Sequence, residues 1–512
     1  MQKSSVSRNR DSLILSIAAL AIVAVLGGIF LGIPAFQAVI LSWKDYRPIQ
    51  GLLGSPWVGP ANYQQLFSSP FFPQVVGNSL ILGILGNLLA VLAGGALGFA
   101  LSRKAAGRKS AAFLACWLLP LFLPEILYAF LAIFGLGVEC LTVPGQARLV
   151  YLAVSGFRVF CFTVFLSGIC GILGKRRGNS AAKASLLGTG AVFALALARA
   201  LSSSPMLSLF QTPSNYETMD TLDTYIYRIG LMNGEYSFSA ATWFTKWLMQ
   251  LPFLVIGAVL LAVLMKRHRT QLPASSEKSG MAPALAGGVI AVGITLALWI
   301  GLLTIRSGSL PADMWMCPLR NSVLGTALAG VLFGVIMALF LLSCRQMPTV
   351  SMLLGLLLGS FCGNTVATYL FYKQLTLVNT FLGPALWGCW NGVILFVPLA
   401  VAASMLNGQK APLSRWIRQM LPFFLLFLGL FLTGVWGGWW EEMALTSDSQ
   451  RQVLPLLLRE WMNSGMAVQY AESGRNLGVA NVLLLSSLVP LLIGAASIVL
   501  FGFLFPKEET AS

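Results

Sequence analysis

Charge is scarce in this chain. Only 10% of its 512 residues are charged and one is a histidine, whereas about a quarter of an ordinary soluble domain is charged. That deficit excludes a water-soluble enzyme. The lone histidine, His268, lies in a basic cluster with no Cys/His grouping around it, which argues against a zinc or haem site. The eight cysteines contain no C-x-x-C pair and mostly lie inside apolar runs, as small core residues do; Cys140 and Cys317 fall near predicted span ends, and their pairing stays open. A phosphate-cradling loop is also missing. Gly174-Lys175 is followed by Arg176, and the residue five before Gly174 is Ile169. ATP hydrolysis would have to come from another chain; no catalytic residue, metal or cofactor is expected on this one.

Apolar length is abundant. Hydrophobic residues make up 57% of the chain, enough for about twelve spans of ~20–25 residues each. The predicted fold class is an all-α membrane protein with about 12 transmembrane helices, near 13-41, 75-102, 111-138, 149-174, 184-202, 241-265, 282-304, 320-343, 349-371, 379-406, 419-439 and 479-505. The first run is far longer than the core of a signal peptide and reads as an uncleaved span. The net charge of +16 would suggest nucleic acid in a soluble protein. Here the positive-inside rule explains it, because Arg103/Lys104/Arg108/Lys109, Lys175/Arg176/Arg177/Lys183 and Lys266/Arg267/Arg269 fall in alternate loops. Those loops are expected to be cytoplasmic, with both termini. Under this topology 20 of the 33 basic residues lie inside and 12 of the 17 acids outside.

The polar stretch from Thr270 to Gly280 separates two sets of six spans. The domain reading is therefore a first half, 1-269, a cytoplasmic linker, 270-281, and a second half, 282-512. An internal echo accompanies it: Asn78-Ser79 opens a span ending at Arg103, and Asn321-Ser322 opens one ending at Arg345. Long external loops, 203-240 and 440-478, occupy the same place in each half. In the first, Asp223, Tyr225, Tyr227 and Arg228 suit docking of a polar protein or sugar surface; an interfacial helix with its tyrosines in the aromatic belt is the alternative.

Charges within spans are functional candidates by default. Glu125 follows Pro120 and Pro124 in the third span, and Arg158 is mid-span in the fourth. They either face a polar cavity or pair with each other. Arg199 and Lys246, near outer span ends, are expected to snorkel. Trp387, Trp390 and Trp436, with Asn391, cluster in neighbouring spans and suit a saccharide path, since aromatic faces stack on sugar rings and amides bond hydroxyls. Trp439 and Trp440 are expected in the aromatic belt. The Gly94/Gly98 and Gly355/Gly359 pairs would allow close helix approach.

The segment from Ser42 to Leu80 (SWKDYRPIQGLLGSPWVGPANYQQLFSSPFFPQVVGNSL) and the loop from Asn215 to Ser237 closely resemble the permease subunits of type I ABC importers for complex carbohydrates, in the polysaccharide/lipoprotein-type branch of the maltose-permease superfamily. The second half resembles the partner permease of the same importers, through GNTVATYLFYKQLTLVNTFLGPAL (Gly363 to Leu386), GVWGGWWEEMAL, LPLLLREWM and a last span containing Pro490. The resemblance implies a fusion of both permeases into two six-helix halves around one translocation path, in a bacterial plasma membrane. It also implies cytoplasmic ABC ATPase subunits, an extracellular lipid-anchored solute-binding protein and membrane lipid as partners, with ATP held on the partner subunits and no nucleic acid.

The same resemblance places a short coupling helix in each half, bearing an E-A-A, then D-G, then I-x-L-P pattern. Here it is degenerate. The first half keeps Ala181 and Ala182 beside Lys175, Arg176 and Arg177; the second keeps Ala402, Ala403 and Gly408, with Val401 at the glutamate position and Asn407 at the aspartate position. The expected function is the permease component of an ATP-driven oligosaccharide importer. A decoupled scaffold or sensor, and less so a secondary carrier, are the alternatives.

Overall fold

A computed structural model describes residues 2–105, 107–137, 139–176, 180–268, 281–304, 312–406, 412–471 and 479–506. Its regular structure is helical, with one isolated backbone bridge between Lys44 and Trp57 and no strand among the described residues. Ten helices are long and apolar enough to cross a membrane, or twelve if each of two bent pairs is one span. The chain is an all-α membrane protein, as a medium without water demands, because a helix satisfies its own backbone. The linker 270-280, Arg177, Asn407 and Gly408 lie outside the described residues.

The helices that matter here are α1 (Arg10–Ser42), α2 (Phe72–Lys104), α3 (Gly107–Phe122), α4 (Glu125–Ile133), α5 (Pro144–Arg176), α6 (Ala181–Ala198) and α7 (Tyr236–Arg267). There follow α8 (Ala282–Gly301), α9 (Asp313–Cys344), α10 (Pro348–Ser360), α11 (Thr365–Gln374), α12 (Leu382–Ser404) and α13 (Leu413–Trp436). The last are α14 (Trp440–Leu445), α15 (Leu454–Ala471) and α16 (Asn481–Leu504).

Two of the twelve predicted spans are not straight. The run 111-138 is α3 and α4, meeting at 66°, and 349-371 is α10 and α11, meeting at 91°. At the first break Pro124 has no amide to donate and disfavours a helical residue before it, so Leu123 is extended, with ψ of 135°. At the second, Gly363 adopts φ of +90°, which side-chain-bearing residues rarely do.

Helix packing repeats with an offset of half the chain. Helix α1 packs on α7 of its own half and also on α9 and α11, while α8 lies on α2 and α3. Likewise α7 packs on α10 and α11, and α16 on α3. The echoed Asn-Ser pairs take part in the repeat. Asn78 donates its amide to the carbonyls of Glu217 and Asp220, both at 2.9 Å, and the Leu222 amide donates to Ser79 Oγ at 2.8 Å. Asn321 donates to the carbonyls of Gln450 and Gln452 at 2.9 and 3.0 Å, and the Leu454 amide to Ser322 Oγ at 2.9 Å. Each pair satisfies loop groups that no helix would satisfy, pinning the outer loop to the top of the same helix. All eight cysteines, Cys140 and Cys317 included, are free thiols.

Close approach between α2 and α5 depends on small residues. A methyl group at Gly98 would fall 2.6 Å from the Val164 carbonyl oxygen, and one at Gly94 2.7 Å from that of Phe160. Gly359, by contrast, has open space around it. We therefore expect Gly98→Ala to push the two helices apart at a cost of about 1–3 kcal/mol, seen as a lower melting temperature in detergent, and Gly359→Ala to leave it unchanged.

Candidate functional site

The break between α3 and α4 strips two carbonyls of their helical partners. The Tyr128 hydroxyl donates to the Pro120 carbonyl at 2.6 Å, and Arg158 Nη1 donates to the Leu123 carbonyl at 3.1 Å. Arg158 is thereby drawn across from α5, with its guanidinium 5.4 Å from the Tyr128 ring centre. Its charge is met by Glu125, the first residue of α4, at 3.6 Å, and Ser204 Oγ donates to the other carboxylate oxygen at 2.8 Å. Of the two readings open from sequence, pairing and cavity lining, both hold.

Three adjoining cavities of about 440, 160 and 320 Å³ share Glu125 and Gly434 in their walls. They follow the seam between α2–α6 and α12–α14. The first is polar on the side of Asn87, Ser155, Arg158, Arg199 and Ser202–Ser204. The third ends at Asn391, Glu441 and Glu442. There the Asn391 amide donates to Glu441 Oε1, and Thr446 Oγ1 donates to Glu442 Oε2 at 2.8 Å. Burial raises the pKa of both carboxyls on α14; Glu125 raises that of Glu441 further, and Glu442 reaches about 7.

On the side of the outer loops, the rings of Tyr227 and Trp440 pack at 4.8 Å, Trp440 being part of the wall of the smallest cavity. In the other direction Phe162, in the wall of the largest, leads to interlocked rings of Phe165, Phe427 and Phe501. At both places aromatic contacts join residues of the first half to residues of the second.

Several sequence expectations need correction. Trp387, Trp390 and Trp436 wall none of these cavities: Trp387 packs on Tyr372, Trp390 stacks on Phe30, and Trp436 donates to the Ser486 carbonyl at 2.9 Å. Asn391, one residue past Trp390, faces the path, as do Trp439 and Trp440. Trp439 is only 1% exposed, so it is no belt residue. Lys246 does not snorkel; it is buried and paired with Asp223 at 2.5 Å, because Asp223 needs a counter-charge next to Gly363. Arg199 walls the largest cavity instead of reaching for the interface.

The four docking candidates are committed inside the protein. Asp223 is paired with Lys246, Tyr225 is buried beside Phe238, Tyr227 packs on Trp440, and Arg228 pairs with Asp220 at 2.5 Å. Their charges and rings organise this loop, with 32% of the Arg228 side chain still exposed. Exposed apolar groups on the neighbouring segment, Ile49, Leu53 and Trp57 among them, were not singled out from sequence.

At the basic end, the described part of α5 stops at Arg176 and α6 starts at Ala181. Ser180 Oγ caps α6 by accepting from the Lys183 amide at 3.2 Å, with Ala181 half-buried and Ala182 exposed in its first turn. Lys175 donates to the Arg103 carbonyl, and Arg176 donates to the Pro506 carbonyl at 2.6 Å, so both tie helix ends together. Val401, Ala402 and Ala403 are 0, 1 and 3% exposed in the last turn of α12. The expectation that they form a coupling face is corrected: small apolar side chains there fill the core against α6.

Fold and cavities together define a multi-pass all-α membrane protein with adjoining cavities along the seam of a repeated packing pattern. No protein-family model matches the chain. Over 44 residues it is 39% identical to the polygalacturonan/rhamnogalacturonan transport system permease protein YteP of Bacillus subtilis (strain 168). That stretch is 9% of this chain, and the chain spans about 14% of the length of that relative. Among solved structures, a chain of a bacterial ABC transporter involved in the import of the acidic polysaccharide alginate is 19% identical, with a TM-score of 0.38 over 52% of this chain and 98% of that one. A second alginate transporter structure, in complex with an alginate pentasaccharide-bound periplasmic protein, is 18% identical, with a TM-score of 0.34 over 42% of this chain and 85% of that one.

Protonation of Glu442 sets a pH dependence. Its folded pKa, about 7, is above the ordinary 4.5, so the folded state holds a proton that the unfolded state has released. The associated stability is fully present below about pH 4.5 and is lost as the pH rises through 7. Melting curves from pH 5 to 8 are expected to fall in the native protein and to flatten in Glu442→Gln.

Proposed function

We propose that the chain is the translocating permease of a carbohydrate importer, with the three cavities as its path and no enzymatic activity of its own. The supporting observation is the connected polar volume around Glu125, enclosed in hydrocarbon-spanning helices and lying on the seam of a repeated packing pattern. Relative movement along such a seam alternately opens its ends. The 440 Å³ of the first cavity falls within the range of about 300–1,000 Å³ usual for small-molecule sites. The relative YteP, named as a permease of polygalacturonan and rhamnogalacturonan transport, suggests fragments of polysaccharides as the substrate class.

In this reading ATP is bound and hydrolysed by cytoplasmic ATPase subunits, and an extracellular lipid-anchored solute-binding protein delivers the saccharide to the outer loops. Separation of Tyr227 from Trp440 would admit it. Glu125, Arg158, Asn391 and Glu441 would contact its hydroxyls, the two acids being accepting groups when ionised and donors when protonated.

A second reading is favoured by the basic end: a permease-like protein that binds saccharide without ATP-driven movement. The burial of Val401–Ala403 and the lack of any acidic residue between Glu139 and Glu217 leave an ATPase few apolar or acidic groups to grip. Tagged chain reconstituted in nanodiscs decides between the two. The importer predicts that an ATPase co-purifies and that adding the binding protein with saccharide raises ATP hydrolysis several-fold. If neither occurs while saccharide still binds, the non-transporting reading takes its place.

A further inference from the structure

The wall of the 440 Å³ cavity carries one positive charge more than it neutralises. Its charged wall groups are Glu125, Arg158 and Arg199. The first two form an ion pair, while the guanidinium of Arg199 makes neither an ion pair nor a hydrogen bond among the described residues. Its position is well fixed: it follows α6 as the C-cap residue, and the next two residues, Ala200 and Leu201, are fully buried. A cation held unpaired at the wall of a cavity with low-dielectric surroundings is costly, and its field is concentrated on whatever enters. The groups around it, Asn87, Ser155, Ser202 and Ser203, are neutral and suited to hydroxyls. A cation near the C-terminal end of α6 also interacts favourably with the helix dipole, but the dipole supplies only a partial charge and no forked acceptor for the guanidinium.

We infer that Arg199 is the carboxylate-binding group of this cavity and that the preferred substrate is an acidic oligosaccharide, one uronate carboxylate pairing with the guanidinium while its hydroxyls bond the serines and Asn87. This assignment rests on the saccharide-permease reading above. Neutral sugars would occupy the same volume without the ion pair, so selectivity would come from Arg199, with fit and hydroxyl contacts shared by both classes.

The test measures binding to the full chain in nanodiscs, without ATPase or binding protein, using a galacturonate trimer and its carboxyl-reduced, neutral counterpart. The acidic trimer is expected to bind at least about tenfold more tightly at low salt, with the preference shrinking as salt rises. Arg199→Gln should bring the ratio close to one by weakening only the acidic ligand, and Arg199→Lys should restore part of it. Melting temperatures establish that each variant is folded; should Arg199→Gln fail to fold, the Lys variant and the salt series still carry the test. A ratio near one in the native protein, or a ratio unchanged in folded Arg199→Gln, overturns the role of Arg199 while leaving a saccharide path in place. Failure of both trimers to bind the native protein overturns the saccharide reading on which it stands.

Discussion

Hydrocarbon offers no hydrogen bonds, so any backbone group released by breaking a membrane helix has to be satisfied by the protein itself. Much of this structure follows from that constraint. The Pro124 break frees the carbonyls of Pro120 and Leu123; Tyr128 and Arg158 take them up. Arg158 then requires Glu125, and the pair props open a polar volume where the helices would otherwise have closed on one another. The second broken span shows the same association, with the buried Asp223–Lys246 pair lying against Gly363 at the bend. A bend in a span and an ion pair beside it occur together in both halves of the chain.

The repeated packing determines where the polar volume can lie. Because α1 crosses to α9 and α11 while α8 crosses to α2 and α3, the two sets of helices are interlocked along the seam. The Asn-Ser clamps make each outer loop move with the helix beneath it, through hydrogen bonds to loop carbonyls and to one loop amide. Tyr227 belongs to one clamped loop and Trp440 lies just ahead of the other, so their ring contact joins two rigid assemblies. Burial raises the pKa of the Glu441 and Glu442 carboxyls beside those rings.

The opposite end is built for cohesion. Lys175, Arg176 and Arg108 spend hydrogen bonds on carbonyls at neighbouring helix ends, and Ala402 and Ala403 of the degenerate motif face the core, whereas Ala182 is exposed. Basic residues required by topology have been turned to structural use.

The elements were legible in the sequence wherever a rule is local. Long apolar runs determined the spans, because bilayer thickness dictates their length. The prolines before Glu125 marked the broken helix, and the Asn-Ser echo marked a repeated contact. Which way a side chain faces was not legible: Trp390 and Asn391 are adjacent, yet one stacks on Phe30 and the other faces the cavity, since helical rotation turns successive residues by about 100° and only the neighbouring helices decide which direction is inside. For the same reason Lys246 and Arg199, alike in composition and depth, have opposite fates: one meets an aspartate brought over 23 residues away in the chain, the other meets an open cavity. The sequence by itself determined a twelve-run apolar chain with few, well-spaced charges; only the tertiary structure decided which charges cancel, because cancellation depends on distances that folding alone creates.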